Sequence, residues 1–184
     1  MGWRVSWYSA DKNEPLKCII EEDGSETIEI NGECVSNNNG TDFWIKLKYD
    51  EDFKKEITCL KEEPDIDYYS ITKKGFQMII LEYRKHIINY MKEDLESFKK
   101  LDFNNDKETW KGSDLILEYE RELREWESSY KDKDDETHYF NIKFNEKEQL
   151  GLSGSWFYKY AIFDMLEVYK YFDWDNKIMV VYGG

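Results

Sequence analysis

The sequence predicts an α+β fold, and three observations carry that prediction. Apolar and polar residues alternate through the first third of the chain, the period of strands with one wet face. From about Thr72 the apolar spacing changes to the three-and-four period of an amphipathic helix. The end of the chain then reads as strand, apolar helix and strand. The expected arrangement is an N-terminal antiparallel sheet of four or five strands, two amphipathic helices and a C-terminal β-α-β unit, within a single domain spanning 1–184.

The strands follow from alternation and turn chemistry. Trp3, Val5 and Trp7 alternate with Arg4 and Ser6. Leu16 to Glu22 and Glu26 to Ile30 flank Asp23-Gly24-Ser25, a hairpin turn because Gly accepts positive φ. The polar run Ser36 to Gly40 is expected to be a loop. Beyond it Phe43, Ile45, Leu47 and Tyr49 alternate with Trp44, Lys46 and Lys48, and Ile57 and Cys59 continue the pattern.

Helical spacing begins after Pro64. Phe76, Ile79, Ile80, Tyr83, Ile87, Tyr90, Met91, Leu95 and Phe98 form one face of a helix of about seven turns. Asp94 falls within that face. Either the helix bends there and the carboxylate reaches water, or the acid meets a Lys, Tyr or Trp partner. A polar connector from Asp102 to Gly112 leads to a second helix, with Ser113 as N-cap and Ile116, Tyr119, Leu123, Trp126 and Tyr130 as its inner stripe. At 100° per residue, Asp114, Glu118, Glu122 and Glu125 cluster on the far side, where Arg121 and Arg124 can pair with them along the helix.

A charged loop follows from Lys131 to Glu136. Tyr139 to Phe144 then read as a strand, Ser155 to Phe172 as a helix and Lys177 to Tyr182 as a last strand. The helix is apolar except at Lys159, Asp164, Glu167 and Lys170, so it is expected between the sheet and one of the other helices. No internal repeat is visible.

Charge narrows the function. The chain holds 40 acidic and 26 basic residues, a net charge of −14, together with seven Trp, 14 Tyr and ten Phe. That aromatic content distinguishes it from a disordered acidic chain, because the rings supply area for a packed core. Residues 1–70 are net −9 and residues 113–136 net −6. Such a surface repels phosphate backbones and anionic lipid, so direct nucleic-acid and membrane binding are disfavoured, whereas a basic protein surface is attracted. No apolar run approaches the roughly 20 residues of a membrane span, and the first residues lack a secretory signal. A cytoplasmic protein with reduced thiols is expected. Cys18 and Cys59 sit on apolar faces and Cys34 beside a turn, so most of the cysteines read as inert packing. Gly2 to Ser6 fit an acylation pattern and Asn39-Gly40-Thr41 a glycosylation sequon, but their context is a strand and a turn.

Motifs of chemistry are sparse. Gly151-Leu152-Ser153-Gly154-Ser155 joins a strand to a helix start, where backbone N–H groups can cradle an anion. It lacks the Lys of the Walker A loop, the glycine spacing of the dinucleotide fingerprint and the order of the nucleophile elbow. Asp102, Asn104, Asp106 and Glu108 begin like an EF-hand loop, but Lys107 replaces the required Gly and Ser113 the closing Glu. Asp132, Asp134 and Asp135, like Asp173 and Asp175, lack fixed ligand geometry. With no CxxC pair and only His86 and His138 as imidazoles, no metal and no cofactor are expected. Neither histidine adjoins a Cys or Ser nucleophile, so no catalytic residues are assigned.

The remaining signal is interaction. Trp44, on the polar side of its strand, and Trp110, in a hydrophilic connector, are candidate aromatic anchors beside the acids of the second helix. The expectation is an acidic protein-binding module whose partner is a basic-surfaced protein. Its partner-binding residues are Asp114, Glu118, Glu122, Glu125, Trp44 and Trp110. Size and acidity fit an inhibitor of the immunity or phage anti-defence type, which occludes the basic surface of a nucleic-acid-acting enzyme or toxin, with carboxylates standing in for phosphates. A composition rich in Lys, Asn, Ile and Tyr, with two Ala, is compatible with an AT-rich bacterial or phage genome. The first alternative is a binding domain or sponge for a small, nucleotide-like anion at Gly151, Ser153, Gly154 and Ser155. The second is a hydrolase built on converged carboxylates. Oligomeric state is left open by the sequence.

Overall fold

A computed structural model describes residues 4–39, 47, 49–62, 67–100, 109–131 and 155–183. In chain order these form β1 (Arg4–Asp11), β2 (Leu16–Ile20), β3 (Glu26–Ile30), β4 (Gly32–Asn39), a 3-10 turn (Phe53–Lys55), β5 (Ile57–Glu62), β6 (Asp67–Ile71), α1 (Lys73–Lys99), α2 (Thr109–Lys131), α3 (Ser155–Tyr171) and β7 (Lys177–Gly183). The fold is α+β, with a five-stranded sheet in the order β4-β1-β7-β6-β5 and a separate two-stranded sheet of β2 and β3. Each of the pairings is antiparallel. The chain divides into two compact units, residues 1–80 with 167–184 and residues 81–166, so that α1 and α3 each contribute to both.

The first unit is organised around β7. Met179, Val180 and Val181 are all fully buried, and since successive side chains of a strand point to opposite faces, both faces of β7 are covered. On one face Trp7 of β1 stands opposite Val181 and meets Phe76 of α1 edge-on, ring centres 5.2 Å apart. Tyr169 of α3 stacks parallel to Phe76 at 6.5 Å, and Trp174 closes the cluster by donating its indole N–H to the Tyr169 carbonyl at 3.0 Å. On the other face the Tyr68 hydroxyl of β6 reaches the Ile28 carbonyl of the small sheet at 3.5 Å. Thr72 starts α1: its Oγ1 accepts from the Gly75 N–H at 3.1 Å, the N-cap geometry, and donates to Glu56 Oε2 at 2.6 Å.

The second unit pairs the rest of α1 with α2. Tyr83, Ile87, Met91 and Leu95 of α1 are buried, as are Tyr119, Leu123 and Trp126 of α2 and Ala161, Ile162, Met165 and Leu166 of α3. The two long helices run antiparallel, for Arg84 lies over the Trp126 ring at 5.8 Å while Lys99, about four turns further along α1, pairs with Glu120 at 2.9 Å. The inner stripe read from the sequence is the packed face at Tyr119, Leu123 and Trp126, and the expected helix 72–98 matches α1 within a residue.

Several local expectations are corrected. The polar run Ser36 to Asn39 is strand, with Trp7, Ser6, Val5 and Arg4 as its partners, because pairing to β1 overrides the weak strand preference of Ser and Asn. Gly32 permits the close approach of the two strands, since a Cβ there would collide with the Ser9 carbonyl oxygen. Leu47 is helical instead of extended, and the Asp50 N–H bonds its carbonyl at 2.8 Å. Asp50 Oδ1 then accepts from the Asp52 and Phe53 N–H groups at 2.9 Å, drawing the chain into the 3-10 turn that buries Phe53. β6 (Asp67–Ile71), absent from the sequence reading, lies just before α1. α2 begins at Thr109, so Trp110 belongs to a helix, and Ser113 lies inside α2 instead of capping it. All three cysteines are exposed, not packed, because the hairpin face of Cys18 and the β5 face of Cys59 are incompletely covered. The predicted strand Tyr139 to Phe144 lies outside the described residues, and β7 has β1 and β6 as its neighbours.

Candidate functional site

The second unit distributes its charge unevenly around α2. Lys92 of α1 pairs with Glu127 at 2.7 Å and Lys99 with Glu120 at 2.9 Å, both on one flank of the buried stripe. The Lys99 ammonium holds the Glu120 carboxyl below its usual range, chiefly through their hydrogen bond. These two ion pairs tie the flank of α2 to α1. Glu118 and Glu125, rotated away from Leu123 by the helical period, are exposed. Glu122 is half-buried and leans inward, where its Oε1 accepts from the Trp126 indole at 3.4 Å. Arg124 lies 4.0 Å from Glu120 on the same helix.

Of the residues singled out from sequence, Trp110, Asp114, Glu118, Glu122 and Glu125 all lie on α2, and the expected far-side cluster is corrected at Glu122, which leans toward Trp126 while Glu118 and Glu125 are exposed. The side-chain positions of Asp114 and Trp110 are not described. Trp44, Gly151, Ser153 and Gly154 lie outside the described residues, and Ser155 is the first residue of α3. Among the described residues no group of three or more His, Cys, Asp or Glu side chains converges as a metal site, and no helix is long and apolar enough to cross a membrane.

A second charged surface is the β2–β3 hairpin of the first unit, within the N-terminal stretch of residues 1–70 whose net charge of −9 marks it as the other acidic face. Leu16 pairs with Ile30, Cys18 with Ile28 and Ile20 with Glu26, which places five apolar residues on one face. None of them is buried: Leu16, Ile28 and Ile30 are half-exposed, Cys18 is exposed, and Ile20 is 73% exposed. Glu21, Glu22, Asp23 and Glu26 surround the turn, all exposed. The turn is rigidly specified, with Gly24 at φ 84° and Asp23 Oδ1 accepting from both the Ser25 hydroxyl at 2.6 Å and the Ser25 N–H at 2.9 Å. Those two bonds, the hydroxyl first, hold the Asp23 carboxyl below its usual range. The sequence signal was present in the alternation of Leu16, Cys18 and Ile20 opposite Ile28 and Ile30, but alternation alone does not say whether an apolar face is covered.

No family model, curated protein or solved structure matches the chain.

Proposed function

We propose that this chain is an acidic protein-binding module that inhibits a nucleic-acid-acting enzyme or toxin by occupying its basic surface, in the manner of immunity or anti-defence proteins. The observation that carries the reading is the exposure of Glu118 and Glu125 on the outer side of α2, in a stretch, residues 113–136, that is net −6. A helix that fixes carboxylates about two turns apart presents negative charge without the entropy cost of ordering a loop. With a net charge of −14, long-range attraction brings a basic partner in and repels free nucleic acid. The carboxylates then compete with phosphates for the same Lys and Arg side chains.

Occlusion has a kinetic signature. Added to a basic nuclease that it recognises, the chain raises the apparent KM for nucleic acid and leaves kcat unchanged. The triple variant E118K/E122K/E125K loses this effect. Inhibition that lowers kcat alone, or that survives the triple variant, contradicts the proposal.

A further inference from the structure

We infer that the β2–β3 hairpin is a docking strand pair that receives an extended, lysine- or arginine-rich segment of a protein partner along β2. The inference rests on the acidic-module reading for the charge of the partner and adds a surface to it. Three features of the hairpin converge. Among the described residues β2 is hydrogen-bonded to β3 alone, so its other edge offers backbone groups to an added strand. The apolar face at Cys18 and Ile20 is exposed, with Ile19 on the opposite face 36% exposed, although a two-stranded ribbon gains little stability without a cover. Around this face the stretch from Asp11 to Glu33 carries eight acidic residues and two lysines.

Natural edge strands are protected by lysines, bulges or prolines that discourage pairing. β2 holds one lysine, Lys17, opposite Glu29, and its register with β3 is unbroken from Leu16 to Ile20. The acids select the occupant. A second copy of this chain would bring eight more acids from the same stretch against the first and is repelled. A strand with apolar residues at every second position and Lys or Arg between them extends the apolar row of Leu16, Cys18 and Ile20 on one face. Its cations share the face of Lys17 and Ile19, with Glu29 one strand further on opposite Lys17, and those beside the turn lie toward Glu21, Glu22 and Asp23. The occupant is therefore a basic extended segment of a protein, with backbone pairing for affinity and alternation for specificity.

Cys18 is a reporter built into this face. In the full chain carrying C34S and C59S it is the sole thiol, and its alkylation by iodoacetamide is followed with a strand-length peptide of alternating valine and lysine. At nine-tenths saturation with the peptide the alkylation rate falls about tenfold. An alternating valine and glutamate peptide gives no protection. Ile20→Asp, at an exposed position where folding is unaffected, weakens binding of the valine–lysine peptide by about tenfold or more. E118K/E122K/E125K leaves protection of Cys18 in place. Unchanged alkylation at saturating peptide, or equal affinity of the Ile20→Asp chain, overturns the inference while leaving the acidic-module reading intact. A concentration-dependent dimer abolished by Ile20→Asp overturns it in favour of self-association. Absence of binding to the peptide and to every basic protein overturns both readings together.

Discussion

The Tyr119 hydroxyl donates to Asp94 Oδ2 at 3.3 Å, joining α2 to α1 in the middle of the packed face. This contact explains how an acid can occupy an apolar stripe: α1 runs unbroken through Asp94, the carboxylate is half-buried, and a tyrosine from the facing helix supplies a donor. At 3.3 Å the bond is long for O–H···O and is worth little despite the charge. Tyr119→Phe is expected to cost about 1 kcal/mol in urea unfolding. Tyr119→Ala, which also empties a buried ring site, is expected to cost about 3–5 kcal/mol. A Phe variant as damaging as the Ala variant would show that the hydroxyl matters more than the ring.

Trp7 makes the same distinction in the first unit. The residue is fully buried against Phe76, yet its indole N–H finds no acceptor among the described residues. Removing the ring as Trp7→Ala is expected to destabilise by about 3–5 kcal/mol. Trp7→Phe loses area but also removes a desolvated donor, so it is expected to cost about 1–2 kcal/mol. Denaturant midpoints of the two variants measure the difference, and equal midpoints would contradict it.

Gly24 isolates a backbone effect. It holds φ 84°, and a Cβ there would meet nothing within 4 Å, so substitution carries conformational strain without a clash. Gly24→Ala is expected to cost about 1–2 kcal/mol and to loosen the hairpin, and Gly24→Asn less. Faster amide exchange confined to β2 and β3 is the observable. An Ala variant with unaltered exchange would remove the case for a rigid turn.

Tyr69 contributes to the alkaline pH dependence of stability. Burial first, and then the Asp67 carboxylate that accepts its hydroxyl proton at 3.1 Å, push its pKa up from 10.0 to about 12. A raised folded-state pKa gives stability that is complete below the unfolded value and declines as pH rises toward the folded one. Stability should therefore fall between pH 10 and about 12 as the unfolded chain ionises first. Tyr69→Phe shallows that decline. Absorbance titration of tyrosinate should show one component near 12 missing in the variant; its persistence would assign the late titration elsewhere.

How much of this was legible differs by element. β1, the β2–β3 turn, α1, the inner stripe of α2, α3 and β7 follow from local period and turn chemistry, which act within a few residues. β4 does not, because Ser36 to Asn39 become strand only through their partners on β1. Leu47 alternates like a strand residue, yet Asp50 and the turn it caps decide the conformation nearby. The acids of α2 were visible as a row, but the inward lean of Glu122 toward Trp126 depends on geometry that helical rotation alone leaves unspecified. The exposed face of the hairpin was unreadable for the same reason: Cys18 and Ile20 alternate whether or not something covers them.

The central claim is that carboxylates fixed on this chain attract and occupy a positive protein surface. The association rate with a basic nuclease as the proposed partner, measured by stopped flow across a series of ionic strengths, tests it most directly. Electrostatic steering predicts a rate that falls steeply as salt rises, with a flatter dependence in E118K/E122K/E125K. A rate indifferent to salt, or a slope identical in the parent and the triple variant, would contradict it.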